Sequence, residues 1–423
     1  MPVSLGVDPA TLDILQSACS DFGNIVAFTR PNGRLAYFIN DPLEIRRMLV
    51  RQHSNYIKGP GFERVKMLLG NGLIVSDGDV WRRSRTMIQP AFSRANVHQL
   101  VNLMVRCCEK RNKRWTSAAE AGEVLNITQE TSDFALELIL RSIFGADYDR
   151  FVLADGINPF AFLSDDSARD LRVVLKVREL RRLVLGVISE RRRDTSEHSY
   201  DFLGAYVNAR DKSGNAFDDD ELLDELMTLI IAGYETSAGT LNWAWFLLAR
   251  NPQLHTALVV EARTHIPDAK AVDSESIAGM RYAQAFLEET LRLYPPVWIF
   301  SRRAIADDQL KDYDLPAGTD IYLSPYVLHR SECFWPQPLT VDPERFVTEP
   351  GAAKGEPAYF PFSLGPRRCL GEYFSFLEMK IHLGILAQKF TMQPVGDADP
   401  LLDLGINLRS QSDIFLRPGL RIP

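Results

Sequence analysis

Cys369 is the residue in this 423-residue chain whose surroundings point most directly to chemistry. It lies in FPFSLGPRRCLGEYFSFLEMK, between a Gly- and Pro-containing loop and the apolar pattern of a long helix. A thiol at a helix N-terminus faces backbone N–H groups and the positive end of the helix dipole, which favour thiolate and predict a lowered pKa. Gly365 and Gly371 permit backbone conformations or close approaches that a Cβ would block. Arg367, two residues before the cysteine, is placed to hold an anionic group beside it. By itself such a cysteine is compatible with an inert packing residue, a nucleophile or a metal ligand.

Three further constellations have spacing that matters. In AGYET, residues 232–236, the Thr236 hydroxyl can bond back to the carbonyl of Ala232, competing with the helix ladder and opening a kink. Gly233 there would let a ligand approach the backbone. In AQAFLEETLRLYPP, Glu289 and Arg292 share a helix face at i, i+3, and their apolar neighbours predict burial with additional hydrogen bonds. In WRRSRTMIQPAF, Trp81 and Arg85 stand four apart on one helix face, both suitable donors to carboxylates. Cys107 and Cys108 are neighbours that cannot face one metal together and read as packing residues. His329 reads as a structural hydrogen-bonding group.

These groups need a scaffold, and the chain predicts one that is mainly helical. IVAFT and RLAYF flank Pro31-Asn32-Gly33, a strong hairpin signal, and Asp41-Pro42 caps and opens the helix DPLEIRRMLVRQ. From there to about residue 300 most segments carry helical period. The longest candidate, about Asp218 to Arg250, spans about 50 Å at 1.5 Å per residue. It opens with Asp218, Asp219, Asp220 and Glu221, which suit the positive dipole end. Its middle is apolar nearly all round, so it runs through the centre of the protein. Residues 191–220 read as a surface loop between helices, and a last helix as about Leu370 to Phe390. The β-rich parts lie near 24–40 and 297–325, at both ends of a helical middle, so they close on each other. One domain over 1–423 is expected, although length alone suggests two or three.

Composition narrows the function class. Hydrophobic residues make up 46%, enough for a large core, and no apolar run reaches the ~18–20 residues of a membrane span. The charge sum, 48 − 55 = −7, disfavours a nucleic-acid role. Five cysteines without paired spacing exclude a disulfide scaffold and fit a reducing, cytoplasmic compartment. Asp8, Asp13 and Asp21 argue against a signal peptide or membrane anchor at the N-terminus.

Taken together, the segments resemble the cytochrome P450 family. Its haem-binding signature, Phe-x-x-Gly-x-Arg-x-Cys-x-Gly, is matched in full by Phe362, Gly365, Arg367, Cys369 and Gly371. The resemblance extends from Trp81 to the final helix and implies the mostly helical P450 fold with a small β-rich subdomain. It implies haem b, with Cys369 thiolate as the axial iron ligand, whose donation favours O–O cleavage. It implies that Thr236 and Glu235 relay protons, that Trp81, Arg85 and Arg302 meet the haem propionates, and that Glu289, Arg292 and Arg345 form a structural lock behind the cysteine loop.

The activity implied is that of a monooxygenase inserting one oxygen atom from O2 into a largely apolar small molecule, by hydroxylation or epoxidation. Substrate is expected against Ala232, Gly233, Val297 and Trp298, under a cover of residues 57–75 that includes Phe62, Met67 and Leu69. A terpenoid, steroid, fatty acid or polyketide-like metabolite, of the kind made in secondary metabolism, suits such a wall. Without an appended flavin or iron–sulfur domain, electrons are expected from a ferredoxin or flavodoxin with its NAD(P)H reductase. Arg82, Arg83, Lys113, Arg114 and Arg368 form the expected basic docking patch, and a monomer is expected. Two alternatives share the motifs: a P450-fold peroxygenase or peroxide isomerase or dehydratase, and a non-catalytic haem-binding protein.

Overall fold

The computed structural model describes residues 10–152, 158–161, 171–194, 196, 198–347 and 358–421; Asp8 lies outside them. The predicted hairpin is present as β1 (Ile25–Thr29) and β2 (Leu35–Ile39), and Gly33 turns it with φ +79°. Asp41 caps the next helix by accepting the Leu43 and Glu44 N–H groups at 3.0 and 3.1 Å. That helix is α only over Pro42–Arg46, and Arg47–Arg51 continue as a π-helical turn.

The two β-rich ends do close on each other. Strands β3 (Tyr56–Lys58), β5 (Phe300–Ala304) and β8 (Asp320–Leu323) join the hairpin in one sheet of order β1-β2-β8-β5-β3. Only the β2–β8 pairing is parallel. Two short strands, β6 (Asp308–Leu310) and β7 (Tyr313–Leu315), form a separate ribbon.

The strands missed from sequence are β3, β4 (Leu125–Asn126) and four near the C-terminus. These are β9 (Phe390–Pro394), β10 (Leu402–Leu404), β11 (Leu408–Ser410) and β12 (Phe415–Leu420). β4, β12 and β9 form one sheet, and β10 and β11 a hairpin.

The principal helices for the site are α1 (Phe62–Leu69), α2 (Gly78–Ile88), α3 (Val101–Ala121), α4 (Ile127–Phe144) and α5 (Leu171–Arg193). They continue with α6 (Asp219–Arg250), α7 (Arg281–Leu293) and α8 (Glu372–Leu386). Two expected bounds change. Helix α8 stops at Leu386 because Phe390 already belongs to β9. The expected loop 191–220 contains a short helix, Phe202–Val207, capped by Asp201.

Helix α6 is the central helix that its composition predicts. Asp218 and Glu221 form a reciprocal capping box, so the acidic run serves the helix end. Most of its length is buried, and it packs against α4, α5, α7 and α8. A large helical core surrounds it, while a second, smaller core lies under the five-stranded sheet. Among the described residues no helix is long and apolar enough to cross a membrane.

Candidate active site

The cysteine loop is a tight hairpin-like turn closed by the Cys369 N–H on the Phe362 carbonyl, at 2.9 Å, and the Arg368 N–H on Gly365, at 3.0 Å. Gly365 has φ +67°, and a Cβ there would stand 2.2 Å from the Leu49 carbonyl oxygen of the π-helical turn. Only glycine meets both demands. Gly371 is different: a Cβ there would touch only the Cys369 sulfur, at an ordinary 3.8 Å. The steric expectation therefore holds for the first glycine and not for the second.

Cys369 sits three residues before α8, with the Gly371 and Glu372 N–H groups directed at its sulfur. Its side chain is exposed by area, yet surrounding protein desolvates it, so the sulfur opens onto an internal cleft. Burial is the larger effect and raises the thiol pKa, while the two N–H groups lower it. The expected lowering is therefore corrected: desolvation outweighs the helix end and the nearby Arg85 together.

Around this loop is a concentration of cations. Arg367 pairs with Asp77, donates to the Ser76 carbonyl at 3.2 Å and lies 4.3 Å over the Trp81 ring. Arg85 donates to the Arg368 carbonyl at 2.8 Å, immediately before the cysteine. Arg302 is 4% exposed and donates to the Ser301 carbonyl beside it. Lys58, which sequence reading missed, faces Arg302 directly in the β3–β5 register. Burial and the neighbouring Arg302 and Arg367 push the Lys58 pKa well below its usual value, and Arg302 falls to about 10. Asp77 is the carboxylate that opposes them. Several desolvated cations around one anion are complementary to a further anionic group, as two carboxylates of a porphyrin would be. A single thiol facing the cleft, a glycine-shaped loop beneath it and this cation cluster together fit haem.

On α6, Ile231, Ala232, Gly233, Glu235 and Thr236 are partly accessible, although the turns to either side are largely buried. Thr236 Oγ1 donates to the Ala232 carbonyl at 2.9 Å, as its position in the helix predicts. Glu235 accepts from Arg409 of β11, a partner 174 residues away. A Cβ at Gly233 would stand 2.8 Å from Ile139 of α4, so this glycine also serves helix packing.

The Val297–Trp298 segment divides. Val297 is partly accessible, whereas Trp298 is 3% exposed and donates its indole N–H to the Gly405 carbonyl at 3.1 Å. Of the cover, Leu69 is buried and Phe62 lies under the Lys58 ammonium, 4.7 Å from its ring centre. Met67 is 82% exposed, so it does not pack over the cleft.

Behind the cysteine loop, Glu289 receives Arg292 through two bonds of 2.6 and 2.8 Å, both side chains fully buried. Arg345 approaches the same carboxylate at 3.6 Å. Arg292 also donates to the His329 and Pro338 carbonyls at 2.8 and 2.7 Å. The His329 ring accepts the Phe360 N–H at 3.1 Å, two residues before Phe362. This chain of contacts reaches the cysteine loop from behind.

The expected docking cations are largely neutralised. Arg82 pairs with Asp79, Arg83 with Asp211 and Glu221, Arg114 with Glu123, and Arg368 with Glu372.

A profile of the Cytochrome P450 family matches residues 13–410. Cyclooctatin synthase of Streptomyces melanosporofaciens is 31% identical over 86% of this chain and 82% of its own length. Cyclooctat-9-en-7-ol 5-monooxygenase of the same organism is 28% identical over 85% and 81%. Pentalenene oxygenase of Streptomyces avermitilis is 28% identical over 91% and 88%.

Proposed function

The chain belongs to the cytochrome P450 family and is a haem b monooxygenase of that family; from that premise we propose that it hydroxylates or epoxidises an apolar, terpenoid-like molecule. The observation that carries the reading is the Cys369 sulfur, opening onto the cleft with two backbone N–H groups aimed at it. Names of relatives built on a cyclic alkene and a cyclic alkenol support the substrate class.

Cys369 would hold the haem iron, and its thiolate would be stabilised by the Gly371 and Glu372 N–H groups. Lys58, Arg85, Arg302, Arg367 and the Trp81 N–H would hold the haem carboxylates. When bound, haem supplies the reductive activation of O2 and the oxygen transfer. Thr236 holds a proton at Oγ1 within the cleft while its bond to Ala232 fixes the hydroxyl. Glu235, paired with Arg409, is the proton carrier between Thr236 and the outer end of the relay. Ala232 and Val297 bound an apolar space that excludes water from the reacting centre. Glu289, Arg292 and Arg345 keep the cysteine loop in place.

Electrons come from a separate ferredoxin or flavodoxin. Lys113 and the rims of the paired arginines offer the docking charge, weaker than the bare sequence suggests. The peroxide-driven alternative is disfavoured by the complete Glu235–Thr236 pair.

The test is spectral. Ferric protein titrated with cyclic terpenes should shift its Soret band on binding, and product should form with a surrogate ferredoxin system. Cys369→Ser should abolish the red-shifted Soret band of the ferrous carbonyl complex. Absence of that band in the unaltered protein would overturn the reading.

A further inference from the structure

Two adjacent acids on the central helix lie outside the oxygen chemistry and are fully engaged elsewhere. Asp224 accepts the Asn71 N–H at 2.7 Å and an Arg181 N–H of α5 at 2.8 Å. Glu225, 3% exposed, accepts the Leu73 N–H at 2.9 Å and a bond from Ser84 of α2. The strand of chain they grip is shaped to lie against them. A Cβ at Gly70, where φ is +78°, would fall 1.9 Å from the Asp224 carboxylate. One at Gly72 would fall 2.3 Å from Thr228 Oγ1 and 2.6 Å from the Asp224 carbonyl.

The far end of the same segment is tied to the cysteine loop. The Ser76 carbonyl and the Asp77 carboxylate both accept from Arg367, and Asp77 also takes the Lys58 N–H at 3.0 Å. Residues 70–77 therefore form a strap whose two anchors are the two elements that carry the chemistry.

We propose that Glu225, assisted by Asp224, is a positioning residue that keeps this strap closed between α6 and the cysteine loop, and that release of its grip on Leu73 governs entry of substrate to the cleft. The proposal rests on the monooxygenase reading for its biological meaning, while the strap itself is a property of the fold.

The environment of Glu225 sets the direction of control. Burial raises its pKa to about 7, with Asp224 and Glu221 adding to the effect and Ser84 and the Leu73 N–H opposing it. Tyr206 also faces it, Arg181 pairs with Asp224, and Arg83 pairs with Glu221. Opening the strap returns the carboxyl to water, where its pKa falls toward 4.5. The closed state thus binds the proton more tightly than the open one, and opening becomes easier as pH rises toward 7, then levels off.

Hydrogen exchange of the holoprotein tests this without recourse to turnover. After correction for intrinsic exchange chemistry, opening at Asn71–Ser76 should rise by up to about tenfold per pH unit between about pH 5 and 7 and flatten above. Glu225→Gln keeps the shape and an acceptor but cannot ionise, so its profile should be flat and protected. Glu225→Ala leaves the Leu73 N–H without its acceptor and should raise exchange about tenfold or more at every pH. Association of phenyl isocyanide, a neutral ligand for ferrous haem, should follow the same pattern in all three proteins. A flat profile in the unaltered protein, an unchanged slope in Glu225→Gln, or isocyanide rates that ignore the strap would each overturn the proposal. If Glu225→Ala does not fold, the Gln variant alone decides. Failure to oxidise any terpene would leave the exchange result standing and count against the function instead.

Discussion

Lys58 and Arg302 stand directly opposite each other on neighbouring antiparallel strands, two cations in one cross-strand pair. Like charges so placed are destabilising, and here both are desolvated. A fold tolerates that conflict where a ligand resolves it. The pair is intelligible as half of an ionic contact whose other half arrives with the haem carboxylates.

Replacing Lys58 by Met removes the repulsion but also one partner of the carboxylates. We expect haem transfer to a scavenging apoglobin to quicken by about tenfold or more, since bonds to charged groups contribute ~1.5–3 kcal/mol. The apoprotein should melt no lower, and slightly higher, than the parent. Equal haem retention in the variant would remove Lys58 from the cradle.

Thr236→Ala should leave substrate binding and haem content intact while diverting electrons. The expected outcome is a product yield per NAD(P)H lowered by about tenfold or more, with peroxide accumulating instead. Arg409→Met should give a milder loss of coupling together with a shifted pH profile, because Glu235 loses its counter-charge. Unchanged coupling in both would end the relay assignment.

Glu378 of α8 is fully buried, receives the Ser237 hydroxyl, and has its pKa pushed by burial to about 8. The folded pKa lies above the unfolded value, so the folded state holds more protons between about pH 4.5 and 8. Stability must fall as pH rises through that window, by at most about 5 kcal/mol. Denaturant titrations at pH 5 and pH 9 should show a smaller difference in Glu378→Gln than in the parent.

Removing one partner of the Glu289–Arg292 pair leaves a charge buried and uncompensated. Glu289→Gln should lower stability by ~3–5 kcal/mol. Because the pair holds His329, and His329 holds Phe360, the variant should also accumulate haem-free protein. Full haem loading in a merely less stable variant would separate this lock from the cysteine loop.

Gly233→Ala should destabilise by ~1–3 kcal/mol through its collision with Ile139. Adding Ile139→Ala should recover part of the loss, measured as a coupling in thermal melts. If Gly233→Ala is harmless to stability and damages only substrate binding, the residue serves the cleft after all.

What sequence made legible was local. The cysteine loop, the Thr236 back-bond, the acidic start of α6 and the hairpin at Gly33 all depend on residues within a few positions of one another. What stayed hidden depends on register between distant segments. Lys58 meets Arg302 across 244 positions, and Glu235 meets Arg409 across 174, with no local pattern to announce either. Strand β12 contains Pro418 and Gly419, residues that strand interiors disfavour, so no strand pattern marks it. Pro418 is accommodated since β4 pairs only with Phe415 and Leu416, leaving its N–H side without a ladder to break.

The β10–β11 hairpin carries a practical lesson for redesign. Gly405 between its strands secures Trp298 beside the substrate wall, Leu408 bonds to Pro296, and Arg409 secures Glu235. A mutant library aimed at new selectivity would naturally randomise such an outlying ribbon. Under the proposed function selectivity and electron economy would share one tether, so variants chosen there for a new product should be screened for wasted reductant from the first round.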